Sequence, residues 1–147
     1  MSEERVGPEE ITPDEADRWR AAAANGDADA MCNLGLLCRH NGQLTGSDSA
    51  ERWWTSGAKL GHAESLYNLG LLRHEQDQTF GAEGAEGLWL RAAEGGNVDA
   101  MCNLGLIRHA QGRLDGDDSA MSWWTSAAEA GNDDAAHNVE LLQAELA

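Results

Sequence analysis

The sequence predicts an all-α fold, a solenoid of 35-residue helix-turn-helix repeats. Three series of residues predict it: Trp19, Trp54, Trp89 and Trp124; Gly26, Gly61, Gly96 and Gly131; Asn33, Asn68, Asn103 and Asn138. A fixed period in the range of about 20 to 50 residues marks units that bury their apolar faces on one another. Between these anchors the apolar spacing is helical. Ala30, Leu34 and Leu37 follow i, i+4, i+7, and Leu69/Leu72 and Leu104/Ile107 repeat the pattern. No alternating strand pattern accompanies them.

The elements follow in order. Residues 1–13 are acidic and carry Pro8 and Pro13, a composition too poor in apolar side chains to fold, and are expected to be a disordered tail. A first helix of the second (B) type is expected near 14–25. Each repeat then supplies a helix A, near 28–41, 63–76, 98–111 and 133–146, and a helix B, near 47–60, 82–95 and 117–130. Residues 14–147 thus form one array: a leading B-type helix, three full repeats and a terminal A-type capping helix. At the B-to-A junctions, Gly26, Gly61, Gly96 and Gly131 suit the left-handed residue that ends a helix, and Asp27, His62, Asn97 and Asn132 follow as N-caps. Gly35, Gly70 and Gly105 lie inside helix A, where glycine costs about 1 kcal/mol relative to alanine, so a neighbouring helix must come close there. The fourth copy has Glu140 instead, as suits a terminal unit with no further neighbour.

The echo over two repeats is closer than over one. DAMCNLGL stands at 29–36 and again at 99–106, and Trp53-Trp54-Thr55-Ser56 returns as Trp123-Trp124-Thr125-Ser126. The unit of duplication was a pair of repeats. Cys32 and Cys102 then lie two rungs apart, roughly 20 Å with helices packed at about 8–10 Å. They cannot form a disulfide, which needs Cα atoms within about 7 Å, nor share a zinc ion. Cys38, six positions on from Cys32, lies on another helix face. Free thiols are expected, and no metal or other cofactor.

Composition narrows the partners. The 147 residues carry a formal charge of −16, the opposite of what a phosphate backbone or an anionic membrane attracts. Neither nucleic acid nor membrane is an expected partner. The N-terminus lacks the basic and apolar regions of a secretion signal, and no run of about 18 apolar residues occurs. A cytoplasmic location is expected.

The repeated unit A-x-x-W-[WL]-x-x-A-A-x-x-G-x-x-x-A-x-x-N-L-G-L resembles the Sel-one-like repeat, a relative of the tetratricopeptide repeat. Four registered copies cover about residues 14–147; the uniform 35-residue unit is slightly shorter than is usual in that family. The resemblance implies a right-handed α/α superhelix with the A helices on its concave side. It also implies an adaptor or scaffold whose repeats are not catalytic.

In the tetratricopeptide register the concave positions are Asp29, Cys32, Asn33, Leu36 and Arg39; Glu64, Tyr67, Asn68, Leu71 and His74; Asp99, Cys102, Asn103, Leu106 and His109; and Asp134, His137, Asn138 and Leu141. Asn33, Asn68, Asn103 and Asn138 each offer a donor and an acceptor, and such a ladder can hold the backbone of an extended peptide. Equally, these asparagines can cap or bridge neighbouring helices and recur because the whole repeat was copied. Arg39, Arg73, His74, Arg108 and His109, from the Arg-His pairs that end the A helices, complete the candidate peptide-binding set with Tyr67. The simpler reading of those cations is that they offset the helix macrodipole. The 35-periodic tryptophans read as core. Trp53 and Trp123 point about 100° away from their neighbours Trp54 and Trp124 and are candidates for a rim or interface.

No nucleophile elbow, phosphate loop or HExxH motif occurs, and an enzyme is not expected. The expected function is a non-catalytic protein-interaction adaptor holding an extended peptide or loop in the concave groove. The alternative is an acidic inhibitor or immunity-type antagonist that binds a basic protein through its negative surface. The chain is expected to be a monomer or a weak homodimer, with self-association through the last helix if Val139 and Leu142 are uncovered.

Overall fold

The computed structural model describes residues 11–147, which form eight α-helices: α1 (Pro13–Ala24), α2 (Ala28–His40), α3 (Ala50–Lys59), α4 (Ala63–Glu75), α5 (Ala85–Glu94), α6 (Val98–Ala110), α7 (Ala120–Glu129) and α8 (Asp133–Leu146). The described residues contain no strand. The even-numbered helices are the A type and the odd-numbered ones the B type. Residues 1–10 of the expected tail lie outside the described residues, and its last residue, Pro13, begins α1. Thr12 is the N-cap of α1, its hydroxyl accepting from the Glu15 amide at 3.3 Å while the Glu15 carboxylate accepts the Thr12 amide at 2.9 Å. Pro13 occupies the first helical position, where its missing N–H costs nothing.

The A helices begin where their caps put them. Asp27, Asn97 and Asn132 accept the amides of Ala30, Ala100 and Ala135 at 3.1, 2.8 and 2.8 Å. In α4 the ring of His62 takes that role, its Nδ1 accepting the Ser65 amide at 3.3 Å. The preceding glycines, Gly26, Gly61, Gly96 and Gly131, have φ of 88°, 76°, 94° and 96°, a left-handed conformation that glycine adopts without steric cost. The B helices start about three residues later than the apolar pattern indicates. Ser49 and Ser119, both fully buried, are their N-caps: each hydroxyl accepts the amide three residues on and donates to a loop carbonyl, Gly46 at 2.8 Å and Gly116 at 2.7 Å. The first residues expected in those helices belong to that turn.

The chain divides into two compact units inside α4, between Leu69 and Gly70. In the first, Trp54 of α3 is fully buried, and its indole lies on Gly35 of α2: a Cβ at Gly35 would stand 2.2 Å from the indole Nε1. That nitrogen donates to the Cys32 carbonyl at 3.4 Å. Ala23, Ala30 and Leu34 form a core beside it, with Trp19 and Trp53 against them. A second close approach joins α3 to α4, where Gly57 makes room for the Ser65 hydroxyl. The same two places in the neighbouring repeat hold Ala92 and Ala100, so volume lost on one helix is regained on the other.

The second unit repeats the arrangement twice. Trp89 lies on Gly70 and Trp124 on Gly105, with gaps of 2.4 and 2.1 Å to the Cβ an alanine would add, and the Trp124 indole donates to the Cys102 carbonyl at 3.3 Å. The close approach inferred from the helix-A glycines is therefore that of a tryptophan side chain. Ala120, Trp124, Ala127, Ala135 and Leu142 form the core between α7 and α8, with Val139 packed against it. Leu142 is only 2% exposed and Val139 is half-buried, so the two residues named for self-association pack against α7 instead. Glu140, at the glycine position of α8, is exposed.

Gly105→Ala is expected to destabilise the protein by about 1–3 kcal/mol through overpacking, although alanine favours a helix by about 1 kcal/mol. Glu140→Ala, at the equivalent position with no indole above it, is expected to be neutral or slightly stabilising. Urea unfolding of both variants, read by tryptophan fluorescence, checks the contrast.

Candidate functional site

The candidate surface belongs to the A helices. On α6, Asp99, Cys102, Asn103, Leu106 and His109 follow i, i+3, i+4, i+7, i+10 and share one face; Asp134, His137, Asn138 and Leu141 do the same on α8. Each leucine there is exposed, Leu106 by 57% and Leu141 by 56%, and their counterpart Leu36 on α2 by 41%. The preceding leucine of each Asn-Leu-Gly-Leu stretch behaves oppositely: Leu34, Leu69 and Leu104 are buried. Two positions on a helix are about 200° apart, so one leucine enters the core and the other leaves it. Leu36, Leu106 and Leu141 lie outside the set of asparagines, cations and tyrosine singled out from the sequence, although the periodic motif already held the signal.

The four asparagines do not behave alike. Asn33, Asn103 and Asn138 are half-buried and, among the described residues, their side-chain amides make no hydrogen bond. Asn68 is 8% exposed, and its Nδ2 lies 3.5 Å from the Cys32 sulfur, bridging α4 to α2. Asn68 is thus a structural bridge. Tyr67, beside it, is half-buried.

The cations proposed for the ligand are largely engaged within the fold. Arg108 is 3% exposed: its Nε donates to Asp118 at 2.9 Å, and its Nη1 donates to Glu86 and, at 3.1 Å, to Gln111. Arg113 holds the other Asp118 oxygen at 2.9 Å. Burial by itself would raise the pKa of Glu86 and of Asp118, but the hydrogen bonds from Arg108 outweigh it and both are held below the usual carboxylate range. Arg108 therefore cannot serve a ligand, because withdrawing it would strand two carboxylates. Arg39 and Arg73 are half-buried, with the Arg73 Nη1 on Gln76 at 3.1 Å. His74 and His109 remain at the surface, their rings 5.7 Å from Trp89 and Trp124; the Nδ1 of His74 meets the Thr79 hydroxyl at 2.9 Å, and the Nε2 of His109 lies 3.4 Å from Glu145.

Trp53 and Trp123, the rim candidates, are half-buried and carry matching partners. The Trp53 indole donates to Asp48 at 3.0 Å and the Trp123 indole to Asp118 at 2.8 Å. This pair is one basis of the 70-residue echo, since the middle copy has Glu83 and Leu88 at those positions. With the polar atom of each indole committed internally, only ring faces remain for a partner, and Arg52 lies 5.1 Å over that of Trp53.

The thiols are free and not activated. Burial, followed by the Glu64 carboxylate, pushes Cys32 up to about 11, and burial also raises Cys38 and Cys102. Among the described residues no three His, Cys, Asp or Glu side chains converge to hold a metal ion, and no helix is long and apolar enough to cross a membrane.

Fold and surface together define an α/α repeat protein in which α6 and α8 each expose a leucine one turn beyond a half-buried asparagine. The fold is that of Sel1-like repeat proteins. The chain is similar to a Sel1 repeat protein from Oxalobacter formigenes, with 24% identity over 83% of this chain and a TM-score of 0.66. It is also similar to a protective antigen of uropathogenic Escherichia coli with an SLR fold, at 25% identity over 88% of this chain and a TM-score of 0.67. The chain spans about half the length of the first (51%) and 29% of the second. No protein-family model and no curated relative matches the sequence.

Two outcomes follow from these geometries. Because Glu86 and Asp118 have lowered pKa values, their contribution to stability is present above the usual carboxylate range and is lost as pH falls through the folded-state values. Arg108→Met is expected to cost about 1–3 kcal/mol at pH 7, less than a fully buried pair because both carboxylates are partly solvated, and to flatten the loss of stability between about pH 5 and pH 3; thermal melts across that range read both. Cys32, buried and with a raised pKa, is expected to resist alkylation at pH 8 in the folded protein and to react at an ordinary rate in urea, as mass spectrometry of iodoacetamide-treated samples would show.

Proposed function

We propose that the protein is a non-catalytic interaction module that holds an extended peptide or loop of another protein on the exposed face of α6 and α8. One observation carries the reading: at the same register of α2, α6 and α8, a large exposed leucine stands one helical turn beyond a half-buried asparagine whose amide is not engaged among the described residues. Exposed leucines that recur in register cost solubility, and such apolar strips rimmed by polar groups mark sites of interaction. The amides supply what an extended backbone needs, one donor and one acceptor per rung. Successive rungs about 10 Å apart correspond to roughly three residues of extended chain. The family resemblance supports the same reading. Asn103, Leu106, Asn138 and Leu141 are the residues assigned to contact; Arg108 and Asn68 are left out because the fold uses them.

Selection of random nonapeptides displayed on phage, followed by calorimetric titration of the peptides recovered, tests the assignment. Leu106→Ser with Leu141→Ser is expected to weaken binding by tenfold or more, corresponding to about 1.4 kcal/mol or more, with little effect of 0.5 M salt on the wild-type affinity. Peptides whose binding ignores both leucines and disappears in salt would instead assign the function to the diffuse acidic surface, the mode of an acidic antagonist of a basic protein.

A further inference from the structure

A row of carboxylates accompanies the leucines. Asp29, Glu64, Asp99 and Asp134 occupy the same position in the first turn of α2, α4, α6 and α8, seven residues before the leucine of that helix. Asp99 and Asp134 are exposed. Their two helices meet: Cys102 of α6 packs against the core that holds Ala135 and Leu142 of α8, and the His109 ring lies 3.4 Å from Glu145. Of the four arginines beyond Gly70, Arg108 and Arg113 are already bound to Asp118, and neither aspartate has an ion-pair partner among the described residues. Seven helical residues span about 10 Å along the axis, and the asparagine lies between: about 6 Å from the carboxylate and about 4.5 Å from the leucine. A peptide backbone resting on Asn103 and Asn138 therefore has a negative row within a lysine's reach on one side and an apolar row on the other.

We propose that the face formed by α6 and α8 selects an extended peptide in which basic and apolar residues each recur every third position, the basic side chains meeting Asp99 and Asp134 and the apolar ones meeting Leu106 and Leu141. The inference rests on the peptide-binding reading above and adds the chemistry of the partner. The two rows have different tasks: the leucines supply affinity that salt leaves intact, and the carboxylates supply discrimination against acidic sequences. Acidic residues in a first helical turn also suit the macrodipole. That role explains their place on one helix, but a carboxylate needed only for the dipole has no bearing on which peptide binds.

Three fluorescein-labelled nonapeptides, Lys-Ser-Leu, Glu-Ser-Leu and Lys-Ser-Ser each repeated three times, distinguish the possibilities by anisotropy. The wild-type protein is expected to bind the first about tenfold or more tightly than either of the others. Asp99→Asn with Asp134→Asn should abolish the preference for lysine over glutamate, and Asp99→Lys with Asp134→Lys should invert it. Asp115→Asn with Asp117→Asn, removing the same charge from an exposed loop, should leave it intact. Circular dichroism establishes that each variant is folded. A lysine preference that survives both aspartate pairs, or falls equally with either pair, overturns the inference while leaving the peptide face in place. No binding of the lysine-leucine peptide at millimolar concentration also overturns it. Equal binding of all three peptides, unaffected by Leu106→Ser with Leu141→Ser, overturns the peptide face itself.

Discussion

The architecture depends on one contact, the nitrogen-bearing edge of an indole set against a helix where there is no side chain. Trp54 on Gly35, Trp89 on Gly70 and Trp124 on Gly105 each bring a B helix onto the preceding A helix at a distance that leaves no space for a methyl group. The contact removes one of the largest apolar side chains from water, about 150–250 Å², which at roughly 25 cal/mol per Å² outweighs the cost of a helical glycine several times over. It is also directional. The Trp54 and Trp124 indole nitrogens reach the carbonyls of Cys32 and Cys102, three residues before the glycine, so the ring is fixed in angle as well as depth. At α8 the corresponding position holds Glu140, which is exposed.

Around that constant contact the repeats differ in ways that preserve volume or charge. Gly57 faces Ser65 where the next repeat has Ala92 and Ala100. His62 caps α4 through Nδ1 and, with its proton on Nε2, donates to Asp29 of α2 at 2.8 Å, a link that an asparagine cap is too short to make. Duplication as a pair of repeats left two copies of the Asp–Trp link, Asp48 with Trp53 and Asp118 with Trp123. The group behind the aspartate then diverged: Cys38 lies 3.9 Å from Asp48, whereas Arg108 is bound directly to Asp118. One copy became a partly apolar packing site and the other a charged knot joining α5, α6 and the following loop.

The surface left by this packing is what remains for function. In α2 and α6 one leucine of the Asn-Leu-Gly-Leu stretch enters the core and the other, Leu36 or Leu106, faces solvent, as Leu141 does on α8; α4 departs from this, with Leu71 half-buried and Asn68 buried. Nothing in the packing requires the second leucine, since the indole contact and the buried leucines already close the core. Its recurrence is therefore the feature that binding explains best, and the polar groups beside it define the chemistry a partner must match.

The sequence by itself determined the number and type of helices, the turns between them and the place of each repeat, because those follow from spacing: 35-residue anchors, i, i+4 apolar positions, and glycine followed by a cap. It also placed the leucines, asparagines and carboxylates of α6 and α8 on one face, since helical geometry alone relates them. What only the tertiary structure decided was which polar side chains are occupied. Arg108 looks like the other Arg-His arginines in sequence, yet it is buried because Glu86, Asp118 and Gln111 converge on it from other segments of the chain. Asn68 looks like the other three asparagines, yet its neighbour across the helix interface is a thiol. The starts of the B helices were hidden for a related reason: Ser49 and Ser119 accept the first helical amides with hydroxyls that are held by donating to a loop carbonyl, and the position of that carbonyl depends on a turn, not on a period. Periodicity records which face a residue occupies, whereas the identity of its partner is set by chain segments that no local pattern relates.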